Sequence, residues 1–305
     1  MTNNNKDIIV VGSANTDMVI MANHFPQPGE TILGHGFMTN HGGKGANQAV
    51  AAARLGGNVK FIARVGDDSF GASTLEMLQQ EGIDVSHVSI TPETPSGVAL
   101  ITTIDSGENT IIVDSGANAK LSAEDIEKAE DCFQSGGLLL MQLETPVPTL
   151  VKAAAIAHER GCYVVLNPAP APATPLPKEL LCNVDLLIPN ETEAALLSGV
   201  NVNDDDSASE ALSKLETLGV KHTVVTLGHR GAGLLENGKL KIIPSQKVKA
   251  IDTTAAGDTF CGALCVRLLE GDNLEEAIAF ANKAAAITVT RRGAQQSIPR
   301  LKEIE

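Results

Sequence analysis

The segment Asp252–Leu264 reads DTTAAGDTFCGAL, and its residue types suit phosphoryl transfer. Ala255, Ala256 and Gly257 are three small residues at the start of an expected helix, Gly257–Glu270. The free amides of a first turn, with the helix dipole, form a nest for a highly charged oxyanion. Asp258 stands at the same turn. A carboxylate there can simply stabilise the helix, but a plain cap needs no run of three small residues before it. A nest beside a carboxylate would hold the transferring group and take the proton of the acceptor hydroxyl. The transition state of that reaction is loose, so the proton need not leave early and an aspartate suffices.

A second glycine-bearing segment, Asn40–Arg54, reads NHGGKGANQAVAAAR and runs into an expected helix, Ala46–Leu55. Glycines let a backbone approach a ligand, and a helix start favours oxygen-rich groups. Neither GxxxxGK[ST] nor GxGxxG is present. A plain glycine-rich turn and a ligand-approaching loop fit the spacing equally. Three weaker signals follow. Thr226–Gly231 is a strand end and a glycine-bearing turn, fit to cradle nucleotide phosphates or only to turn the chain. Asn190–Glu193 could hold the waters of a magnesium ion through Glu193, or be a solvated helix start. Arg291–Ser297 follows the last long helix, with Gly293 as its cap and two arginines against its dipole.

Short apolar runs at Ile8–Gly12, Val59–Val65, Leu138–Leu143, Tyr163–Leu166, Leu186–Ile188 and Thr223–Leu227 must position these residues. They read as buried strands. Helical patterns lie between them at Thr74–Gln80, Thr149–Glu159, Glu191–Leu197 and Ser207–Leu218, and another follows at Leu274–Thr290. The alternation predicts an α/β fold, a doubly wound and mostly parallel sheet flanked by helices, spanning residues 1–305 as one domain. Such sheets bind ligands beyond the carboxyl ends of their strands. The polar residues standing there are Asn15 and Asp17, Glu144, Asn167, then Asn190 and Glu193, and Gly228 and Gly231. Two regions, 16–40 and 97–115, lack helical periodicity. Met18–Met21, Thr31–Leu33, Val98–Ile104 and Thr110–Val113 read as short antiparallel strands, either two surface hairpins or one small β-sheet lid over the site.

Composition excludes other classes. A net charge of −14 argues against a nucleic-acid binder, and no tryptophan with one tyrosine leaves little for base stacking. No apolar stretch approaches the ~20 residues of a membrane span. The polar start and the short Ile8–Val11 run do not make a signal peptide, so a cytoplasmic location is expected. Five cysteines, none in CxxC, are expected to be free and buried. Cys261 and Cys265 share a helix face, where core packing is the expected role rather than metal binding.

In order along the chain, GSANTD (12–17), GGKGANQA (42–49), GENTIIVDSGANAKL (107–121), LLLMQLE (138–144), NPAPA (167–171), PNETEA (189–194), TLGHRG (226–231), DTTAAGDTF (252–260) and RRGAQQSIP (291–299) resemble the phosphofructokinase-B-type carbohydrate kinases. DTxAAGDTF is highly specific for that superfamily. GGKGANQA with MQLE points within it to the ribokinase branch rather than to fructokinase-like or adenosine-kinase-like members. His41 departs from the pattern, standing where the family more often has an apolar residue.

The resemblance implies a doubly wound domain with a β lid and a homodimer clasped through the lids. It implies ATP-dependent phosphorylation of the D-ribose 5-hydroxyl. Asn15, Asp17, Gly43, Lys44, Asn47 and Glu144 would then hold the sugar. Asn190, Thr226, Gly228, Gly231 and Asn282 would contact ATP, and Glu193 would organise magnesium through water. Ala256 and Gly257 would form the anion hole, with Asp258 as proton acceptor. A monovalent cation, normally potassium, would sit by Asp252, Thr254, Thr288, Arg291, Gly293 and Ser297. The alternatives are the same chemistry on deoxyribose, another sugar or a nucleoside, or a silent sugar sensor on the same fold. A nucleotide-dependent oxidoreductase is disfavoured by the missing GxGxxG.

Overall fold

A computed structural model describes residues 6–172 and 174–304. The elements in chain order are β1 (Asp7–Val11), β2 (Asn15–Ala22), β3 (His35–Gly42), α1 (Lys44–Arg54), β4 (Asn58–Gly66), α2 (Ser69–Gln80), β5 (Asp84–Thr91), β6 (Gly97–Ile104) and β7 (Asn109–Asp114). Then follow α3 (Ala123–Lys128), β8 (Leu138–Met141), α4 (Val147–Glu159), β9 (Tyr163–Leu166), α5 (Lys178–Leu181), β10 (Leu186–Leu187), α6 (Glu191–Ser198) and α7 (Asp205–Thr217). The chain closes with β11 (His222–Thr226), β12 (Ala232–Glu236), β13 (Lys239–Ile243), α8 (Ala256–Glu270) and α9 (Leu274–Thr288).

Nine strands form one sheet in the order β13-β12-β11-β10-β9-β8-β1-β4-β5. From β11 through β5 every pairing is parallel, as the alternation of apolar runs and helices requires. The strands are apolar at successive positions because both faces are covered. On β1, Ile8 and Val10 face one buried cluster with α1, α8 and α9 residues, while Ile9 and Val11 face the other.

Several expectations need correction. The edge strands β12 and β13 run antiparallel and were not foreseen. Asn237 and Gly238 between them both have positive φ, 52° and 75°, which is the Asn-Gly geometry that closes a tight hairpin. Strand β5, absent from the strands expected from sequence, lies at the opposite edge, where two adjacent polar residues, Ser86 and His87, break the alternation. Thr31–Leu33 is not a strand. The pairing strand begins at His35 and runs into the glycine-rich segment. Cys182 is exposed, whereas the other four free cysteines are buried as expected.

The second sheet has the order β3-β2-β6-β7. Its central pair, β2 and β6, is parallel over eight residues rather than antiparallel. Because side chains alternate, the register puts Asp17, Val19, Ile101, Ile111 and Val113 on one face. Met18, Ile20, Leu100 and Ile112 fall on the other. Both faces carry exposed apolar residues, among them Ile111 at 54% and Ile112 at 71%.

Helices α1 and α8 lie side by side against the main sheet. Their approach is set by small residues: a Cβ on Gly262 would come within 2.7 Å of the Ala51 Cβ and 2.8 Å of the Gln48 carbonyl oxygen. We expect Gly262→Val to lower stability by about 1–2 kcal/mol. Its gain in helix propensity, roughly 0.5 kcal/mol over glycine, is smaller than an overpacking cost of about 1–3 kcal/mol. A urea midpoint equal to the parent's at unchanged slope would contradict this packing argument.

Candidate active site

The site residues gather at the carboxyl ends of the parallel strands, where β1 leaves the main sheet for β2 and where α1 and α8 begin. Helix α1 starts at Gly43, whose φ of 85° suits glycine. The turn lies so close to the chain after β1 that a Cβ there would be 2.7 Å from the Asn15 amide nitrogen. This contact welds the glycine-rich segment to the Asn15–Asp17 strand. The Ala46 amide donates to the Ser13 carbonyl at 2.8 Å, across the same seam.

The sugar-side candidates divide by their partners. Glu144 Oε2 accepts from the Ser13 hydroxyl at 2.5 Å and from the Lys44 amide at 2.9 Å. Asn15 Oδ1 accepts from Asn118 Nδ2 at 2.7 Å, and Asn118 Oδ1 in turn accepts the Ala14 amide at 2.9 Å. Asn47 Nδ2 donates to Asp258 Oδ2 at 3.0 Å, while the buried Asn47 Oδ1 has no donor among the described residues. Ser13 and Asn118 were given no role by sequence reasoning, although both lie inside the quoted motifs.

Three carboxylates, from Asp258, Glu144 and Glu193, act on one ammonium, that of Lys44, and Asp17 stands within reach of the Glu144 and Asp258 charges. Burial pulls the Lys44 ammonium down, but Asp258, Glu144 and Glu193 outweigh it and hold the group above its ordinary value. It is therefore charged at neutral pH. Burial, and then the Glu144 and Asp258 charges, push the Asp17 carboxyl up to about 7. Burial also raises Glu193, against the Asn190 amide and Lys44, which favour its ionised form.

A cleft of about 280 Å³ runs from Lys44 past Asp258 and Gly257 to Asn190, Glu193 and Thr226. Asn190 caps α6: its side chain accepts the Glu193 amide at 2.8 Å and Glu193 Oε2 accepts the Asn190 amide at 2.9 Å. Glu193 is only 8% exposed, so this is not the solvated helix start that the sequence also allowed. Asn190 bridges to Thr226 between neighbouring strand ends. Gly228 and Gly231 stand in the turn after β11, both with positive φ. Asn282 lies on α9 and donates to the Ile243 carbonyl at 2.8 Å at the end of β13, outside the residues lining this cleft.

At the start of α8, Ala255 adopts φ 60° and offers no side-chain cap. Its left-handed backbone turns the chain sharply into the helix. The Ala256 amide reaches the Thr253 carbonyl at 3.2 Å, and the amides of Gly257 and Asp258 have no acceptor among the described residues. A Cβ on Gly257 would meet nothing within 4 Å, so the helix start opens into space. Asp258 is 8% exposed, with one oxygen toward Asn47 and the other toward Gln48. Cys261 lies one turn on; its complete burial raises the thiol well above its ordinary value, so it stays uncharged.

The remaining candidates form a loop pair beside α8. Asp252 Oδ1 accepts from the Thr254 amide and hydroxyl at 2.9 and 2.6 Å, and Oδ2 accepts the Gly293 amide at 2.9 Å. Burial pushes the Asp252 carboxyl up, but these bonds outweigh it and hold the group below its usual range. Thr288 and Ser297 hydroxyls donate to local carbonyls of Ala284 and Ala294. The Arg291 guanidinium pairs with Glu303 at 2.6 Å, away from the cleft. Arg54, at the far end of α1, donates to the carbonyls of Gln295 and Ile298 and so ties this loop to that helix. Sequence reasoning did not single out Arg54.

A profile of the pfkB family of carbohydrate kinases matches residues 5–301. A ribokinase of Haemophilus influenzae is 47% identical over 298 residues, covering 98% of this chain and 97% of that protein. A deoxyribokinase of Salmonella typhimurium is 37% identical over 297 residues, with 97% of each covered. The structure of an Arabidopsis thaliana ribokinase complexed with ribose and ATP superposes with a TM-score of 0.88 at 35% identity, covering 98% of this chain and 97% of that one. The chain belongs to the pfkB family of carbohydrate kinases.

Proposed function

We propose that this protein transfers the γ-phosphoryl group of ATP to the 5-hydroxyl of D-ribose. The observation that carries the reading is the shared cleft. Lys44, the open turn of α8 with Asp258, and the Asn190–Glu193–Thr226 group line one cleft, and Asn47 borders it through its bond to Asp258. The hydroxyl oxygen bonds to the γ-phosphorus, ADP leaves, and the hydroxyl proton passes to Asp258. The helix start Ala255-Ala256-Gly257 would form the anion hole, with the Gly257 amide free among the described residues and the Ala256 amide having to leave the Thr253 carbonyl to join it. Identity to the ribokinase relative is 47%, against 37% to the deoxyribokinase, which favours ribose over deoxyribose.

Asn15, Asp17, Asn47, Lys44 and Glu144, with the Gly43 backbone, would hold the sugar. Carboxylates accept from ring hydroxyls and side-chain amides bond in both senses. The orphaned Asn47 Oδ1 fits this role, because a sugar hydroxyl would supply its missing donor. Asn190, Thr226, Gly228, Gly231 and Asn282 are assigned to ATP. Glu193 keeps one oxygen beyond its capping bond and would hold a magnesium ion through water, which supplies charge neutralisation for the phosphates. Asp252, Thr254, Thr288, Arg291, Gly293 and Ser297 would hold potassium. The Asp252 carboxylate, the Thr254, Thr288 and Ser297 hydroxyls and the backbone oxygens of Arg291 and Gly293 are oxygen ligands, which suit a hard cation, and a cation bound there would order the segment leading into the α8 turn. The second sheet would act as a lid, Asp17's face over the cleft. Its other apolar face, with Ile112 71% exposed, supports a homodimer through the lids.

The first test is ADP release with MgATP and potassium across ribose, deoxyribose, fructose, tagatose and adenosine. Preference for D-ribose is expected. Turnover of a different sugar would replace the substrate assignment, and no turnover of any would favour a sensor. Asp258→Asn should fold normally and lose roughly 10²–10⁴-fold in turnover; near-parental turnover would remove the proton-acceptor role. Rates in potassium should exceed those in tetramethylammonium several-fold, and equal rates would refute the cation site.

Asp17 provides a pH test. Its carboxyl sits near 7 in the folded protein, against about 3.9 in an unfolded chain. Between those values the folded state binds the extra proton, so stability falls as pH rises and the cost is complete above about 7. Asp17→Asn should therefore raise the melting temperature at pH 8 by more than at pH 5, while weakening ribose binding. An equal shift at both pH values would show that Asp17 is not ionised against its surroundings.

A further inference from the structure

We infer that Gln48 is a positioning residue for Asp258, held in one amide orientation by a buried chain through Gln142 and Asn167. This rests on Asp258 being the proton acceptor. Gln48 is wholly buried and uses three bonds: Nε2 donates to Asp258 Oδ1 and to Asn167 Oδ1, each at 3.0 Å, and Oε1 accepts from Gln142 Nε2 at 2.7 Å. Asn167 cannot present its amide nitrogen instead, because that nitrogen donates to the Ile188 carbonyl at 2.8 Å.

The polarity of the chain is set from the carboxylate outward. Turning Gln142 over would put its oxygen against the Gln48 oxygen. Turning Gln48 as well would put an oxygen against both Asp258 and Asn167. The chain keeps the one arrangement that aims a donor at Asp258, although it leaves the buried Gln142 Oε1 without a donor among the described residues. Buried acceptors are ordinarily satisfied, so this orphan marks a constraint imposed from elsewhere. Gly12 makes room for that oxygen, since a Cβ on Gly12 would stand 2.1 Å from it.

Asn47 alone would not fix Asp258. The terminal torsion of an aspartate is broad, and one hydrogen bond leaves the carboxylate free to pivot about it. A second donor on the other oxygen fixes the plane, and with it the lone pair that meets the substrate hydroxyl. Orientation errors of this kind lower the rate of the chemical step rather than binding.

The test is Gln48→Met, which keeps volume and removes the donors. Its crystal structure should show the Asp258 carboxylate rotated or in two conformers. With the best sugar of the panel, kcat should fall about ten-fold while KM for sugar and ATP stays within about two-fold. In an Asp258→Asn background the same change should cost less than about two-fold, since nothing remains to be positioned. An unmoved carboxylate plane, or a ten-fold loss repeated in full in that background, would overturn the inference. If the parent turns over no sugar, the proposed reaction fails while the crystallographic arm still decides the role of Gln48. Should Gln48→Met not fold, Gln142→Met frees Gln48 to turn over and should give the same rotation with a smaller loss in kcat; parental values in both would count against the chain.

Discussion

The close approach of α1 and α8 is the contact on which the site depends. Gly262 against Ala51 lets the two helix backbones run nearly in contact, over the same face of the same sheet. Their first turns therefore open at one place, beyond the ends of the central strands. One helix brings Asn47 and Gln48 and the other brings Asp258 and the open amides of its first turn. Larger residues at this seam would separate the helices, and the hydrogen bonds from α1 to Asp258 would be lost with the packing.

Charge in the cleft is unbalanced by design of the chain's own residues. Three carboxylates act on one lysine, and Asp17, buried beside two of them and without a cation of its own among the described residues, has a raised carboxyl. A surplus of acceptors suits a ligand rich in hydroxyl donors. It is hostile to phosphates, so the anionic end needs something other than side-chain cations. The uncapped helix start supplies fixed partial positive charge there without adding an ionisable group. Glu193 and the Asp252 loop bring oxygens where a cation would offset the remaining negative charge.

Much of this was legible in the sequence, and the reason differs from residue to residue. The parallel strands were legible because strands buried on both faces become continuous apolar runs. The α8 turn was legible because three small residues before a helix have few other uses. The edge strands were harder: β5 is half solvated, and the hairpin of β12 and β13 announces itself only through Asn237-Gly238. Gln48 and Gln142 stand inside the GGKGANQA and LLLMQLE motifs, yet their bond spans 94 positions and no local pattern predicts it. Asn118 and Arg54 are of the same kind, since each acts on a segment that only the folded topology brings near. Asn282 lies in none of the motifs and is implied only by the family resemblance, and its side chain is taken up by the end of β13.

Strand β2 has two tasks along one unbroken length. Its first residues, Asn15 to Asp17, belong to the cleft, and its later ones form the middle of the second sheet. Eight consecutive pairings tie it to β6, with no loop between root and tip that could absorb a displacement. The strand therefore joins the cleft to the second sheet mechanically as well as covalently. A displacement of Asp17 would be passed along the strand toward the middle of the second sheet rather than taken up by a loop.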